Sequence, residues 1–293
     1  METLSFCPNC NSQRFERYLE CIDFTVTKET FTLVNCIQCG FKFTNPRPSA
    51  KEIDKYYDSE DYISHSNTAK GIINKIYHLV KTRAIKKKIH LIEDLNPSSK
   101  DILDIGCGAG SFLKGINDTG WTTTGIEPSK KTRNYCTDIL NLNVLDEPFL
   151  KSTNNKYSII TMWHVLEHVH ELNARIEEIY RLLNPGGYAI IAVPNYLSKD
   201  AVKYEEYWAA YDVPRHLYHF SADIMKSLFT KHKLKFIKSL PMKMDSFYVS
   251  MLSEKYKKSS LQFPKALLSG LFSNISAGND PEKYSSVIYI FSK

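Results

Sequence analysis

The chain has 293 residues, and no apolar run in it is long enough to cross a bilayer; the longest, Tyr188 to Val193, is six residues. No membrane partner is expected on that ground. The start, Met1 to Cys10, is polar and lacks a basic stretch followed by an apolar one, so no secretion signal is expected. The expected setting is the reducing cytoplasm, and an odd number of cysteines, seven, does not suit a framework of paired disulfides. Charge excess is also scarce. Lysine plus arginine number 38 and aspartate plus glutamate 32, a net +6, short of what a dedicated nucleic-acid binder carries. Internal repeats and low-complexity tracts are missing. What is present, 43% apolar and 24% charged residues, is the balance of a packed protein with one large domain or one domain plus a small one.

Cysteine is concentrated at one end. Cys7-Pro-Asn-Cys10 and Cys36-Ile-Gln-Cys39-Gly40 form a C-x2-C…C-x2-C pattern. Each turn presents two thiolates to one metal, and two turns complete a tetrahedral sulfur site whose usual occupant is Zn2+. Gly40 suits a knuckle where the backbone turns freely. The 25 intervening residues allow a hairpin of Phe15–Leu19 with Phe31–Val34. Four ligands leave no open position, so the expected metal is structural; the alternative is four unligated buried thiols. Such a ribbon would bind nucleic acid or cover a substrate site. Its balanced charge, five basic and five acidic residues in 1–50, favours the second.

After the ribbon, residues 46–95 read as a linker and a helical lead-in, with apolar residues at helical spacing from Ile72 to Leu95 around Lys86-Lys87-Lys88. From Asp101 strands alternate with helices. Strands are expected at Ile102–Ile105, Thr122–Glu127, Tyr157–Met162 and Tyr188–Val193. A helix is expected from Val165 to Leu183, stopped by Asn184-Pro-Gly-Gly187. Leu234–Leu240 and Val287–Phe291 read as a final antiparallel-capable pair, with a mostly helical insertion between them. This alternation implies an α/β fold, a Rossmann-like doubly wound, mostly parallel sheet covered on both faces.

The most informative segment is Asp101-Ile-Leu-Asp-Ile-Gly-Cys-Gly-Ala-Gly-Ser-Phe-Leu113, in which a strand runs into Gly106-Cys107-Gly108-Ala109-Gly110 and then a helix. The glycines let backbone approach a ligand at the carboxyl end of the strand. A dinucleotide fingerprint needs glycine at 111, where Ser111 stands. Glu127 ends the second strand 21 residues after Gly106, a distance at which an acid accepts ribose hydroxyls. In these residues the chain resembles the class I S-adenosylmethionine-dependent methyltransferases, whose first motif is an acid followed by G-x-G-x-G. The resemblance covers residues 95–293 and implies a seven-stranded sheet in a domain spanning 96–293, behind a zinc ribbon at 1–45. It implies Asp104 near the methionine end of the cofactor, backbone contacts in the loop from Gly106 through Cys107 and Gly108 to Gly110, Glu127 on the ribose and Asp146 near the adenine.

Trp163-His-Val-Leu-Glu-His168 follows the fourth strand, where methyltransferases of this class carry a similar V-L-E-H-V motif. The resemblance implies His164 near the transferred methyl group and Trp163 beside the adenosine. In the similar ubiquinone-pathway O-methyltransferases, acids and a histidine here hold a divalent metal; this chain has His164 where they have glutamate. The alternative is that Glu167 and His168 cap and brace a helix start. Substrate-side insertions are expected at about 196–221 and 244–280. Within the first, Arg215-His-Leu-Tyr-His-Phe-Ser221 resembles the E-H-L-x-Y-F-S stretch of deoxysugar C-methyltransferases, which also begin with a four-cysteine zinc domain. This resemblance implies His216 as base, with His219 standing where tyrosine is expected and Arg215 where glutamate is.

The expected activity is methyl transfer from S-adenosylmethionine to a hydroxyl or carbon of a small polar, sugar-like acceptor. The alternative is an rRNA or tRNA methyltransferase whose ribbon reads RNA, suggested by eight basic against two acidic residues in Lys70–Lys100. Nucleobase amino methylation usually needs an Asn/Asp-Pro-Pro-aromatic motif after the fourth strand, and Thr161-Met-Trp-His164 is there instead. A binding module that keeps the scaffold without catalysis is the third reading.

Overall fold

The computed structural model describes residues 1–57 and 72–293, with backbone alone for 72–80. Residues 58–62 of the tyrosine-rich sequence Tyr56-Tyr-Asp-Ser-Glu-Asp-Tyr62, and Lys70 of the basic cluster, lie outside the described residues. Helix α1 (Ile72–Asp94) leads into β4 (Asp101–Ile105), α2 (Ser111–Asn117), β5 (Thr122–Ile126), α3 (Lys130–Asp138), β6 (Val144–Leu145), the single turn α4 (Phe149–Ser152) and β7 (Tyr157–Trp163). Then follow α5 (Leu172–Leu182), β8 (Leu183–Pro194), α6 (Lys199–Tyr204), β9 (Tyr218–His219), α7 (Ala222–Lys231), β10 (Lys235–Pro241), α8 (Asp245–Tyr256), α9 (Gln262–Ala277) and β11 (Ser286–Ser292).

Seven strands form one sheet in the order β10-β11-β8-β7-β4-β5-β6. β11 runs antiparallel to both β8 and β10, whereas β4 to β8 are parallel. Tyr157 to Met162 is buried at every position, as a central parallel strand covered on both faces requires. The chain builds outward from β4 to β6 and then crosses to β7, so the sheet's order reverses between β4 and β7. Ligands of open α/β sheets sit in the crevice beyond the carboxyl ends at such a point. Here that crevice receives the glycine loop after β4 and the Trp163–His168 turn after β7.

The expected helix from Val165 is corrected by the structure: α5 begins at Leu172. Positions 165, 169, 172, 176 and 179 have helical spacing, but His164 takes a left-handed conformation (φ 57°) and Leu166–His168 form a separate 3-10 turn. Leu166 is buried in the main core, so the apolar spacing of this stretch comes from packing of a turn and not from one continuous helix face. The stop lies where expected, yet Asn184-Pro-Gly-Gly187 is not a loop. It runs inside β8, with Leu183 already paired to Tyr157.

The ribbon contributes β1 (Phe15–Ile22), β2 (Thr30–Cys36) and β3 (Lys42–Thr44), and β1 and β2 form the expected hairpin. These strands make a second sheet, β1-β2-β3-β9, in which Lys42 pairs with His219 and Phe43 with Tyr218. Phe41 stacks on Tyr218 and Phe220 at 5.7 and 5.8 Å. The buried Arg215 guanidinium lies 3.0 Å from Asp23, in the β1–β2 connection, and 2.6 Å from Asp212. The ribbon and the segment carrying His216 are therefore packed as one unit.

Candidate functional site

At the end of β4 the backbone enters Gly106 at φ 74°, and a Cβ there would lie 2.5 Å from the Val165 side chain. Only glycine lets the loop pass this close to the turn that follows β7. Gly108 (φ 52°) has nothing within 4 Å of where its Cβ would be, so the loop faces open space on its ligand side. Glu127, beyond β5, accepts from Gly108 N–H at 3.1 Å and from Ser129 N–H at 2.9 Å. Gly110 is packed against Leu142 and Cys136, and the Cys107 thiol lies beside Gly125, where burial pushes its pKa up. Asp104 is buried and accepts from the Thr161 hydroxyl at 2.6 Å. Burial pushes its carboxyl up to about 7, against the Thr161 hydroxyl and the Lys88 ammonium, which pull it down. Asp146 stands exposed just past β6.

Lys88 is a residue the sequence reading missed. Its ammonium lies 3.9 Å above the Trp163 ring, and Trp163 meets Phe112 edge-on at 5.4 Å. Within Lys86-Lys87-Lys88 the signal was its phase: Lys88 lies three residues after Ile85 and four before Ile92, on the face that packs inward. Burial lowers its pKa to about 8, opposed by Asp104 and Asp245.

The turn after β7 gathers the second half of the site. Nε2 of His164 lies 3.0 Å from Asp245 at the start of α8, and its Nδ1 3.5 Å from Glu167. Burial disfavours the imidazolium, but the Asp245 and Glu167 carboxylates outweigh it and push the pKa up to about 10. Glu167 is fully buried, and neither carboxylate oxygen accepts a hydrogen bond among the described residues. Nε2 of His216 faces it at 4.0 Å and faces Asp212 at 3.9 Å. The other nitrogen of His216, Nδ1, lies 2.8 Å from the Ala210 carbonyl, to which it donates, leaving the Nε2 lone pair toward the two acids. The His168 ring meets His216 edge-on at 4.6 Å, and its Nδ1 lies 2.9 Å from the Tyr57 hydroxyl. Burial, with His216 alongside, drops His168 to about 4, so it is a neutral ring near pH 7.

The structure thus brings His164, Glu167, His168 and His216 together, and adds Asp212 and Asp245, which no local motif announced. His219 has different contacts. It sits in β9 with its ring against Tyr211 at 5.3 Å and its Nε2 3.3 Å from the Thr44 hydroxyl, and burial holds its pKa well below the usual histidine value.

In the ribbon, the ligand atoms of Cys7, Cys10, Cys36 and Cys39 lie within 4.8 Å of one another. Two of the sulfur–sulfur distances are 3.6 and 3.5 Å; a tetrahedron with about 2.3 Å metal–sulfur bonds has edges of about 3.8 Å. The two knuckles share one backbone pattern. Cys7 N–H donates to Ser12 and Asn11 N–H to Cys7, as Cys36 N–H donates to Phe41 and Gly40 N–H to Cys36. Asn11 and Gly40, both left-handed, are equivalent positions.

Comparison with known proteins agrees with this geometry. A family model described as a methyltransferase domain matches residues 77–239. Ubiquinone biosynthesis O-methyltransferases are similar: that of Rickettsia prowazekii is 29% identical over 159 residues, 51% of this chain and 61% of the relative. That of Rickettsia typhi is 30% identical over 161 residues, 51% of this chain and 62% of the relative. The chain therefore spans about three-fifths of the length of these relatives. Among solved structures, magnesium protoporphyrin IX methyltransferase from Synechocystis PCC 6803, with bound S-adenosylhomocysteine, superposes with a TM-score of 0.53 at 14% identity, covering 82% of this chain and 98% of that one, a likeness of fold. With more than half its length matched by the family model, the chain belongs to the methyltransferase-domain family.

Proposed function

We propose that the chain methylates a hydroxyl-bearing small polar molecule, with His216 taking the acceptor's proton. The observation that carries this reading is the His216 Nε2 lone pair, fixed by the Nδ1 hydrogen bond to Ala210 and flanked by Glu167 and Asp212 at 4.0 and 3.9 Å. The cofactor supplies an activated methyl on a sulfonium, and the protein's part is to align the acceptor and remove its proton. His164, held between Asp245 and Glu167, keeps the floor of the site in one arrangement. Asp104, the Gly106–Gly110 backbone, Glu127, Asp146 and Trp163 form the cofactor side of this proposal.

The experiment is labelled methyl transfer from S-adenosylmethionine across a panel of phenols, catechols and sugar derivatives. His216→Ala is expected to lower kcat by about 100-fold or more with cofactor affinity unchanged; equal loss of both would count against a proton-transfer role. For RNA as acceptor, filter binding at moderate salt is expected to show no retention of rRNA or tRNA, whereas tight retention would favour that alternative.

A second reading of the same group is favoured by buried Glu167, neither of whose oxygens accepts a hydrogen bond among the described residues. Glu167, His168 and His216 place donor atoms within 4.8 Å of one another, a set that fits a divalent cation, which would supply a Lewis acid for the acceptor oxygen. His164 does not belong to that set, because both its nitrogens face carboxylates. Full activity in buffer freed of Mg2+ and Mn2+, with the ribbon metal retained, favours the histidine reading; loss restored by Mg2+ or Mn2+ favours the cation.

Asp104 makes the cofactor side pH-dependent. An ionised carboxylate attracts the methionine ammonium, and a carboxyl titrating near 7 is largely neutral at pH 6. Cofactor affinity is therefore expected to rise between pH 6 and 8, and Asp104→Asn to flatten that rise in equilibrium dialysis. We assign the four ribbon cysteines to one structural Zn2+, with the ribbon at 1–45 bracing the acceptor side and not reading nucleic acid.

A further inference from the structure

Helix α9 is built inside out. Its buried positions are small or polar: Ala266, Ser269, Gly270, Ser273 and Ala277. Its large residues face solvent, with Phe263 72% exposed, Leu268 65%, Phe272 59% and Ile275 68%. The orientation is fixed from within. Ser273 donates to the buried Asp200 at 2.6 Å, Ser246 of α8 donates to the Gly270 carbonyl at 3.2 Å, and a Cβ on Gly270 would meet Phe247 at 2.7 Å. Turning the apolar face inward would break these contacts and drive bulky side chains into α8. Contiguous apolar surface of this kind on a soluble body marks a contact site.

Charge on the hairpin formed by α8 and α9 says what covers it. Lys243, Lys255, Lys257, Lys258 and Lys265 are exposed. The hairpin's two acids are turned away from solvent contacts: Glu254 is buried against the Tyr204 hydroxyl, and Asp245 faces His164. The tip between the helices carries Lys257 and Lys258 followed by Leu261 and Phe263, 73% and 72% exposed. An apolar helix face rimmed by lysines is the pattern of a helix lying in the headgroup region of an anionic bilayer. We propose that the α8–α9 hairpin docks this enzyme on an anionic membrane surface. The absence of an apolar run of spanning length argues against crossing the bilayer, not against lying on it. Two copies meeting through the same face would set lysine rim against lysine rim, which disfavours a symmetric dimer as the occupant.

The test is co-sedimentation of the full chain with vesicles of phosphatidylcholine alone and of phosphatidylcholine with phosphatidylglycerol. Binding is expected to the anionic vesicles, at least tenfold weaker to neutral ones, and reduced by salt. Leu268→Glu with Phe272→Glu should reduce it at least tenfold, and Lys257→Glu with Lys258→Glu should remove the preference for anionic lipid. All four positions are exposed, so S-adenosylhomocysteine binding is the control that each variant is folded. A protein that stays in the supernatant, or apolar variants that bind as the parent does, overturns the proposal. So does a parent dimer that becomes monomeric on Phe272→Glu without ever binding vesicles, since that result gives the face to a second copy.

Discussion

Glu127→Ala is expected to weaken S-adenosylmethionine binding by at least about 100-fold in equilibrium dialysis, while the melting temperature changes little. If Glu127 holds the ribose as proposed, the substitution removes two ribose contacts at once, and hydrogen bonds to a charged group contribute about 1.5–3 kcal/mol each. The side chain already shows that it accepts from two directions, from Gly108 N–H and Ser129 N–H. It is half-buried at the end of β5, so removing it opens no core cavity. Glu127→Gln should lie between, keeping one acceptor. Affinity within threefold of the parent would place the ribose elsewhere.

Stripping the zinc proposed for the ribbon, or Cys36→Ser, should have the second large effect, on stability first and on the site through it. Structural zinc contributes folding free energy on the order of 10 kcal/mol in small domains. A loss of even half of that corresponds to a fall in Tm of about 8 °C for a chain of this size. Damage should spread beyond the ribbon because β3 pairs with β9 and because Phe41 stacks on Tyr218 and Phe220. Arg215 adds to the coupling. Unfolding the β1–β2 connection removes Asp23 and leaves the buried guanidinium with Asp212 as its one carboxylate partner among the described residues. Calorimetric melting with and without a strong chelator checks this, read beside metal content. An unchanged melt in metal-free protein would mean that the thiols are simply buried.

The cofactor side was legible because its signals are local. A strand, three alternating glycines and an acid after the next strand each follow from backbone needs within 25 residues or so of Gly106. The ribbon was legible for the same reason, since each knuckle is four residues long. What the sequence hid is what distant segments bring. Lys88 reaches Trp163 from the lead-in helix, and Asp245 reaches His164 from the insertion between β10 and β11. Strand β9 is two residues long, too short for any alternation to show, yet by pairing with β3 it ties the His216 segment to the ribbon's sheet. The Val165–His168 stretch misled because apolar spacing cannot separate a helix face from a turn that drops single side chains into a core. Its left-handed His164 is a non-glycine residue held in that conformation at the site, where such geometry concentrates.

The central claim is that the loop from Gly106 to Gly110 receives S-adenosylmethionine. The most direct measurement is isothermal titration calorimetry of the parent and of Gly108→Arg. Apart from its chain neighbours, nothing lies within 4 Å of the Gly108 Cβ position, so a side chain there projects into the open space of the loop, at the cost of local strain from the positive φ of 52°. The account predicts one site per chain for the parent and none detectable for the variant, with both proteins folded. No binding to the parent, or equal binding to both, would contradict it.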